Sequence, residues 1–167
     1  MKIVLETDRT ILRPWRSSDL EEYYKIISNP LVLKYLPIDS ITVEETEAKL
    51  QSRMDQHDLN GFCLWAVILK ADKSIIGHCG LQYIYNTQDI ELGYALSPAF
   101  WNKGLATETA KASLEYAFKT LKLKTILGLV NKDNAGSKHV LEKIGMKYVG
   151  VTDKYYDIKD LLLYKAT

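Results

Sequence analysis

Cysteine, histidine and long apolar runs are all scarce in this chain, and each shortage removes a class of function. The two cysteines, Cys63 and Cys79, form no C-x-x-C pair. Two thiols cannot build a disulfide framework, and both lie in apolar runs, where free cysteines are usually buried. That usage fits a reducing compartment, so a cytoplasmic location is the expectation. His57, His78 and His139 are dispersed without metal-ligand spacing, and no metal is expected. No stretch approaches the roughly 18 apolar residues of a membrane span. The opening residues MKIVLETDRTILRP lack the apolar centre of a leader. A soluble chain with no membrane partner is expected.

Excess charge of one sign is missing too. The 22 basic and 21 acidic side chains leave a net charge of +1. That excludes a surface built to coat a polyanion, so no direct nucleic-acid partner is expected. Two phosphate-binding fingerprints are absent: G-x-x-x-x-G-K-[ST] and G-x-G-x-x-G. No Ser/His/Asp or Cys/His arrangement suggests a covalent nucleophile. Repeats, low-complexity tracts and linkers are also missing.

What is present is ordinary globular material. Of 167 residues, 47% are hydrophobic, enough for one domain over 1–167. Short β segments are expected at 2–6 and 10–13. Ser17-Ser18-Asp19 then caps a helix through Ile27, and Asn29-Pro30 breaks it. A further helical turn over 31–36 ends at Pro37. Thr42, with Glu45 in the capping-box position, opens a helix running to about His57. Residues 62–70, 75–85 and 89–96 read as a meander of strands, with Gly77 and Gly80 marking close backbone approach.

The pattern changes after Ser97-Pro98. Apolar residues recur at helical spacing over 104–121, and 124–130 reads as a strand. Asn134 caps a helix stopped by Gly145, and 146–151 with 155–165 read as a closing hairpin. Strand, helix and strand in succession imply a crossover and a parallel pair. The fold class is α/β (α+β): a mixed, strongly twisted sheet of six to seven strands with helices on both faces.

The stretch WNKGLATE, 101–108, opens the second long helix directly after a strand. The first turn of a helix holds amides with no internal partner, and its dipole favours anions. Gly104 leaves room for an anion to approach the backbone, Ala106 and Thr107 stay small, and Lys103 can add a point charge. A capped helix with a surface lysine is the competing reading, and both stand at this point.

Two stretches carry a resemblance. DIELGYALSPAFWNKGLATETA (89–110), followed by NKDNAGSKHVLEKIGMKYVG (131–150), resembles the GNAT acyltransferase superfamily. The opening LETDRTILRPWRSSDLEEYYKIISNP (5–30) looks like its ribosomal-protein N-terminal (Rim-type) N-acetyltransferase branch. The likeness runs, in order, along essentially the whole chain. It implies an acetyl-CoA-dependent N-acetyltransferase acting on a primary amine, either a protein N-terminus or a small molecule. CoA would be the product, and the chain a monomer or homodimer. A non-catalytic CoA- or peptide-binding regulatory module of the same fold is the alternative. Trp101 is a departure, because it stands where the family often has Gln or Arg before its glycines.

By that resemblance, Tyr94, Ala95 and Leu96 pair through their backbone with the pantetheine arm, in a slot between strands 89–96 and 124–130. Gly93 is expected to permit a bulge there. The amides of Asn102, Lys103, Gly104, Leu105, Ala106 and Thr107 would hold pyrophosphate. Asn131, Asn134 and Ser137 would contact the arm or the groups beside it. Direct attack on the thioester needs a base for the amine and an acid for the leaving thiolate. Glu91 is the candidate base, acting through a water, and Ser137 the candidate acid. An exposed strand glutamate and a first-turn serine bonding its own backbone are the competing readings. Tyr23, Tyr24, Tyr35, Tyr83, Tyr85, Tyr155 and Tyr156 are expected to contribute to an acceptor groove or to the edge of the core.

Overall fold

Local capping chemistry sets the helix boundaries in the computed structural model, which describes residues 3–167. Strands β1 (Leu5–Glu6) and β2 (Thr10–Arg13) open the chain. A short 3-10 turn at Ser17–Asp19 leads into α1 (Leu20–Ile27), and α2 (Pro30–Leu33) is one turn started by Asn29. Helix α3 (Val43–Asn60) begins with a reciprocal capping box between Thr42 and Glu45. It stops at Gly61, whose φ of +77° suits a residue without Cβ.

Strands β3 (Leu64–Leu69), β4 (Ile75–Tyr83) and β5 (Ile90–Leu96) form the meander. Helix α4 (Leu105–Lys119) crosses to β6 (Ile126–Val130), and α5 (Ala135–Lys143) leads to β7 (Lys147–Thr152) and β8 (Leu161–Ala166). The sheet has eight strands, above the expected six to seven, in the order β1-β2-β3-β4-β5-β6-β8-β7. Among the described residues, only β5 and β6 run parallel, as the crossover through α4 requires.

Two layers of helix cover the sheet. On one face, Tyr23, Ile27 and Leu50 of α1 and α3 pack on Ile11, Trp15, Ala66 and Ile68. On the other, Leu105, Ala110, Leu114, Ala117 and Leu141 of α4 and α5 pack on Trp65, Val67, Cys79, Leu81 and Leu92. Cys63 and Cys79 are buried free thiols, and burial raises their pKa values to about 12 and about 11. Gly80 is required by crowding, since a Cβ there would lie 2.1 Å from the Cys63 carbonyl oxygen.

Two expectations need correction. No bulge occurs at Gly93: the β4–β5 register runs unbroken from Gly77↔Leu96 to Tyr83↔Ile90, with Gly93 opposite Gly80. Register shifts lie elsewhere, between β3 and β4 at Val67/Ile68 and between β7 and β8 at Tyr148/Gly150. The last strand begins at Leu161 rather than residue 155. Tyr156, Asp157 and Asp160 take left-handed φ values of +59°, +54° and +58°, which breaks any extended run there.

Strands β5 and β6 share a single register pair, Glu91↔Leu127. Beyond it their edges separate, and the sheet opens where β5 continues towards Leu96. That opening positions the site.

Candidate active site

The loop at the end of β5 presents backbone rather than side chains. Asn102 and Gly104 take left-handed φ values of +58° and +75°, so the chain turns sharply into α4. No side chain caps the helix start at Gly104. Residues 101–104 are exposed, which leaves first-turn amides open to an anion. A Cβ at Gly104 would meet nothing closer than Arg9 Nη2 at 3.5 Å. The left-handed backbone, more than crowding within the protein, therefore calls for glycine. Trp101 is 37% exposed and its indole donates to the Leu96 carbonyl at 2.7 Å, so it ties the loop to β5.

A carboxylate stands in the first turn of this helix. Glu108 is held by Arg9, whose Nε and backbone N–H donate at 2.7 and 2.9 Å, and by Thr7 Oγ1 at 2.6 Å. These bonds, against the opposing effect of partial burial, hold its pKa below the usual carboxylate range. Arg9 Nη1 also donates to the Lys103 carbonyl at 2.8 Å. Arg9 thus braces the loop and neutralises the acid beside it. Nothing local in the sequence marks this residue for that role.

Where the sheet opens, a cavity of about 410 Å³ lies among β4, β5, β6, α3, α5 and the 153–160 segment. Glu91, Tyr94, Asn131, Asn134 and Ser137 all line it. Ala95, Leu96 and residues 102–107 lie outside its walls, following Tyr94 along the chain into α4. Asn134 caps α5, its Oδ1 accepting from the Ser137 amide at 3.0 Å, and Asn131 Oδ1 accepts from the Asp133 amide at 3.0 Å. Both residues therefore shape the turn and border the cavity. The Tyr94 hydroxyl donates to the Ser137 carbonyl at 3.0 Å and lies 2.9 Å from Ser137 Oγ. Burial raises the Tyr94 pKa, so the phenol stays protonated.

Glu91 is 6% exposed, not the exposed strand residue of the competing reading. Burial raises its pKa, opposed by hydrogen bonds from Tyr156 and from Gln82 Nε2, the latter at 2.7 Å. Tyr156 reaches Glu91 from the segment before β8. That segment is tied to the start of β5 by Lys154 and Tyr155, which bond Asp89 at 2.9 and 2.8 Å.

On the α1–α3 side the cavity is walled by Tyr23, Tyr35, Tyr83, Tyr85, Lys49, Arg53 and His78. Tyr24 and Tyr155 of the expected tyrosine set lie outside it. Arg53 donates to the Tyr23 hydroxyl, which lies 3.2 Å from His78 Nδ1. Burial first, and then the charges of Arg53 and Lys49, push the His78 pKa well below the ordinary imidazole value. The ring is therefore neutral near pH 7.

The family model for the acetyltransferase (GNAT) domain matches residues 9–147. The chain belongs to the GNAT acetyltransferase family. It is an acetyl-CoA-dependent acetyltransferase, and the non-catalytic alternative is set aside. One relative is the uncharacterized N-acetyltransferase YnaD of Bacillus subtilis, 30% identical over 150 residues, covering 90% of this chain and 86% of that protein. The spermidine N(1)-acetyltransferase of Escherichia coli is 26% identical over 140 residues, covering 83% and 73%. The crystal structure of a GNAT-family acetyltransferase from Bacillus anthracis superposes with a TM-score of 0.83 at 29% identity, covering 99% of this chain and 98% of that one. Among the described residues, no helix is long and apolar enough to cross a membrane.

Proposed function

We propose that this GNAT acetyltransferase moves the acetyl group of acetyl-CoA directly to a primary amine, with Glu91 as base and the Tyr94–Ser137 pair as acid. One observation carries the reading. A buried carboxylate with a raised pKa and a hydrogen-bonded pair of hydroxyls border the same cavity, where β5 and β6 part. Acetyl-CoA supplies the thioester. The α4 loop, Gly104 included, binds its pyrophosphate, and the parted edge of β5 offers backbone groups to its amide-bearing arm.

Glu91 takes the proton of the attacking ammonium through a water. Its raised pKa brings it closer to the working pH, where a base is most effective. Ser137 Oγ gives a proton to the departing sulfur, and the Tyr94 hydroxyl turns its single proton from the Ser137 carbonyl to Oγ to replace it, regaining one from solvent. The chain forms no covalent link to the acetyl group, consistent with the lack of an activated nucleophile in the sequence.

Two acceptor types have support. The likeness of the opening stretch to the Rim-type branch favours a protein N-terminus, and similarity to the spermidine enzyme favours a small amine. Thiol release from acetyl-CoA, measured across an amine panel that includes peptides beginning with Ala, Ser and Met, tests the reaction. Glu91→Gln should lower kcat and leave acetyl-CoA affinity within about twofold. Release from no amine, despite tight acetyl-CoA binding, would count against transfer to this acceptor class.

A further inference from the structure

The charges lining the acceptor side of the cavity are unbalanced. Lys49 and Arg53 both line it, and Glu91 is the only acid among its walls. Neither cation lies within ion-pair distance of a carboxylate among the described residues. The two sit one turn apart on α3, a spacing that puts them on one face of the helix. Partial burial first, and then the charge of Arg53, hold the Lys49 pKa below its ordinary value, against a lesser opposing influence from Glu45.

Arg53 is held in place without being neutralised. Its guanidinium lies 5.0 Å from the Tyr23 ring centroid and 5.9 Å from that of Trp15, and it donates to the Tyr23 hydroxyl. A planar donor fork fixed by stacking, with its charge uncompensated, is suited to a carboxylate or phosphoryl group. The Tyr23 hydroxyl accepts from Arg53 and lies 3.2 Å from His78 Nδ1, so the three side chains form one chain of contacts. His78 lines the same cavity as Arg53 and Lys49.

This polar end is separated from the proposed base. His78 pairs with Ala95, whereas Glu91 pairs with Gln82, four positions along the same two strands. That is about 13 Å of strand. The walls also hold the phenolic and aliphatic side chains Tyr35, Leu36, Pro37, Ile38 and Tyr83, beside the uncharged Gln56 and Gln82. An acceptor that fills this space has an amine at one end, an anionic group at the other and an apolar or aromatic body between.

We propose that the acceptor is a small amino acid of this type, its carboxylate or phosphoryl group bound by Arg53 and Lys49 while its amine faces Glu91. This rests on the transferase reading above and narrows it. Two cations in the wall oppose polyamines, so the chain parts from the spermidine enzyme in what it accepts. The cavity volume of about 410 Å³ suits a small molecule, with the acetyl end of the donor at its other side.

The test is thiol release with matched acceptors: ω-amino acids of two to six carbons, phenylalanine and tyrosine, their amides, the aminoalkylphosphonates, linear diamines and a peptide with an acidic second residue. Acids or phosphonates with a body of about four carbons or an aromatic ring should exceed their amides at least tenfold in kcat/KM, and glycine and diamines should be poor. The phosphonate arm tells which anion is preferred. Arg53→Gln should lower the acid-to-amide ratio of kcat/KM about 10- to 100-fold, chiefly through KM, with Arg53→Lys recovering part of it. Calorimetry with CoA on each variant keeps donor binding separate. Failure to bind acetyl-CoA would defeat the transferase reading itself. Donor binding with transfer that ignores or disfavours the anion, an acid-to-amide ratio unmoved by Arg53→Gln, or a strong preference for the peptide would each overturn the small-amino-acid proposal alone.

Discussion

Tyr94 on β5 and Ser137 on α5 lie 2.9 Å apart, hydroxyl to hydroxyl, across the gap between β5 and β6. If the pair acts as one acid, its members should not contribute independently. Ser137→Ala and Tyr94→Phe should each reduce kcat by about 10- to 100-fold. The double variant should be little worse than the poorer single one. Losses that simply multiply would mean separate roles, and an unaffected Ser137→Ala would remove serine from the chemistry.

Glu91 links rate to stability. Its folded pKa lies above the reference value of 4.5, so between these two values the folded state holds the proton more tightly than the unfolded one. Stability from this group is therefore present below pH 4.5 and lost as pH rises through the folded value. Glu91→Gln should lower kcat, abolish the acidic limb of the pH–rate profile and weaken the fall of Tm as pH rises above 4.5. Thermal melts across that range check the second claim. A fall of unchanged steepness would show that Glu91 is not the ionising group responsible.

Arg9 offers a test of charge balance at the loop. Arg9→Met leaves Glu108 uncompensated in the first turn of α4, next to the proposed pyrophosphate site. Acetyl-CoA affinity should drop by about three- to tenfold in calorimetry. Adding Glu108→Gln should restore most of it, since the offending charge goes too. If the second change leaves affinity depressed, Arg9 acts by bracing the Lys103 carbonyl instead.

The parted strands predict a ligand effect on backbone exchange. CoA binding should slow amide exchange in peptides covering 90–97 and 126–131, with smaller changes in β2 and β3. Unchanged exchange in both peptides, at saturating CoA, would place the arm elsewhere.

The features legible in the sequence are those that act over a few residues. The Thr42–Glu45 box, the Asn134 cap and the helical spacing of 104–121 each need only neighbours in the chain. Partners far apart in sequence were not legible. Tyr156 and Glu91 are separated by 65 residues, and Arg9 and Glu108 by 99. No periodicity relates such pairs, because the sheet order brings them together. Residues 155–160 illustrate the reverse failure. YYDIKD, with its tyrosines and isoleucine, reads as the start of the last strand, yet Tyr156 adopts a left-handed conformation that is rare for a bulky side chain. Its bond to Glu91 accompanies that conformation, and no local propensity encodes it. Likewise, the closing hairpin was foreseeable, but not that its second strand would insert between β6 and β7.

The single Glu91↔Leu127 pairing has one more implication. Glu91 and Tyr94 belong to one leaf of the sheet, whereas Asn131, Asn134 and Ser137 follow the other. With Glu91 as base and Ser137 as acid, as proposed, the separation of the two groups depends on how the leaves sit against each other, and the Tyr94–Ser137 hydroxyl pair joins them. On that proposal, a substitution far from the cavity, where α4 packs on Leu92 of β5, would change the rate without touching a reacting group.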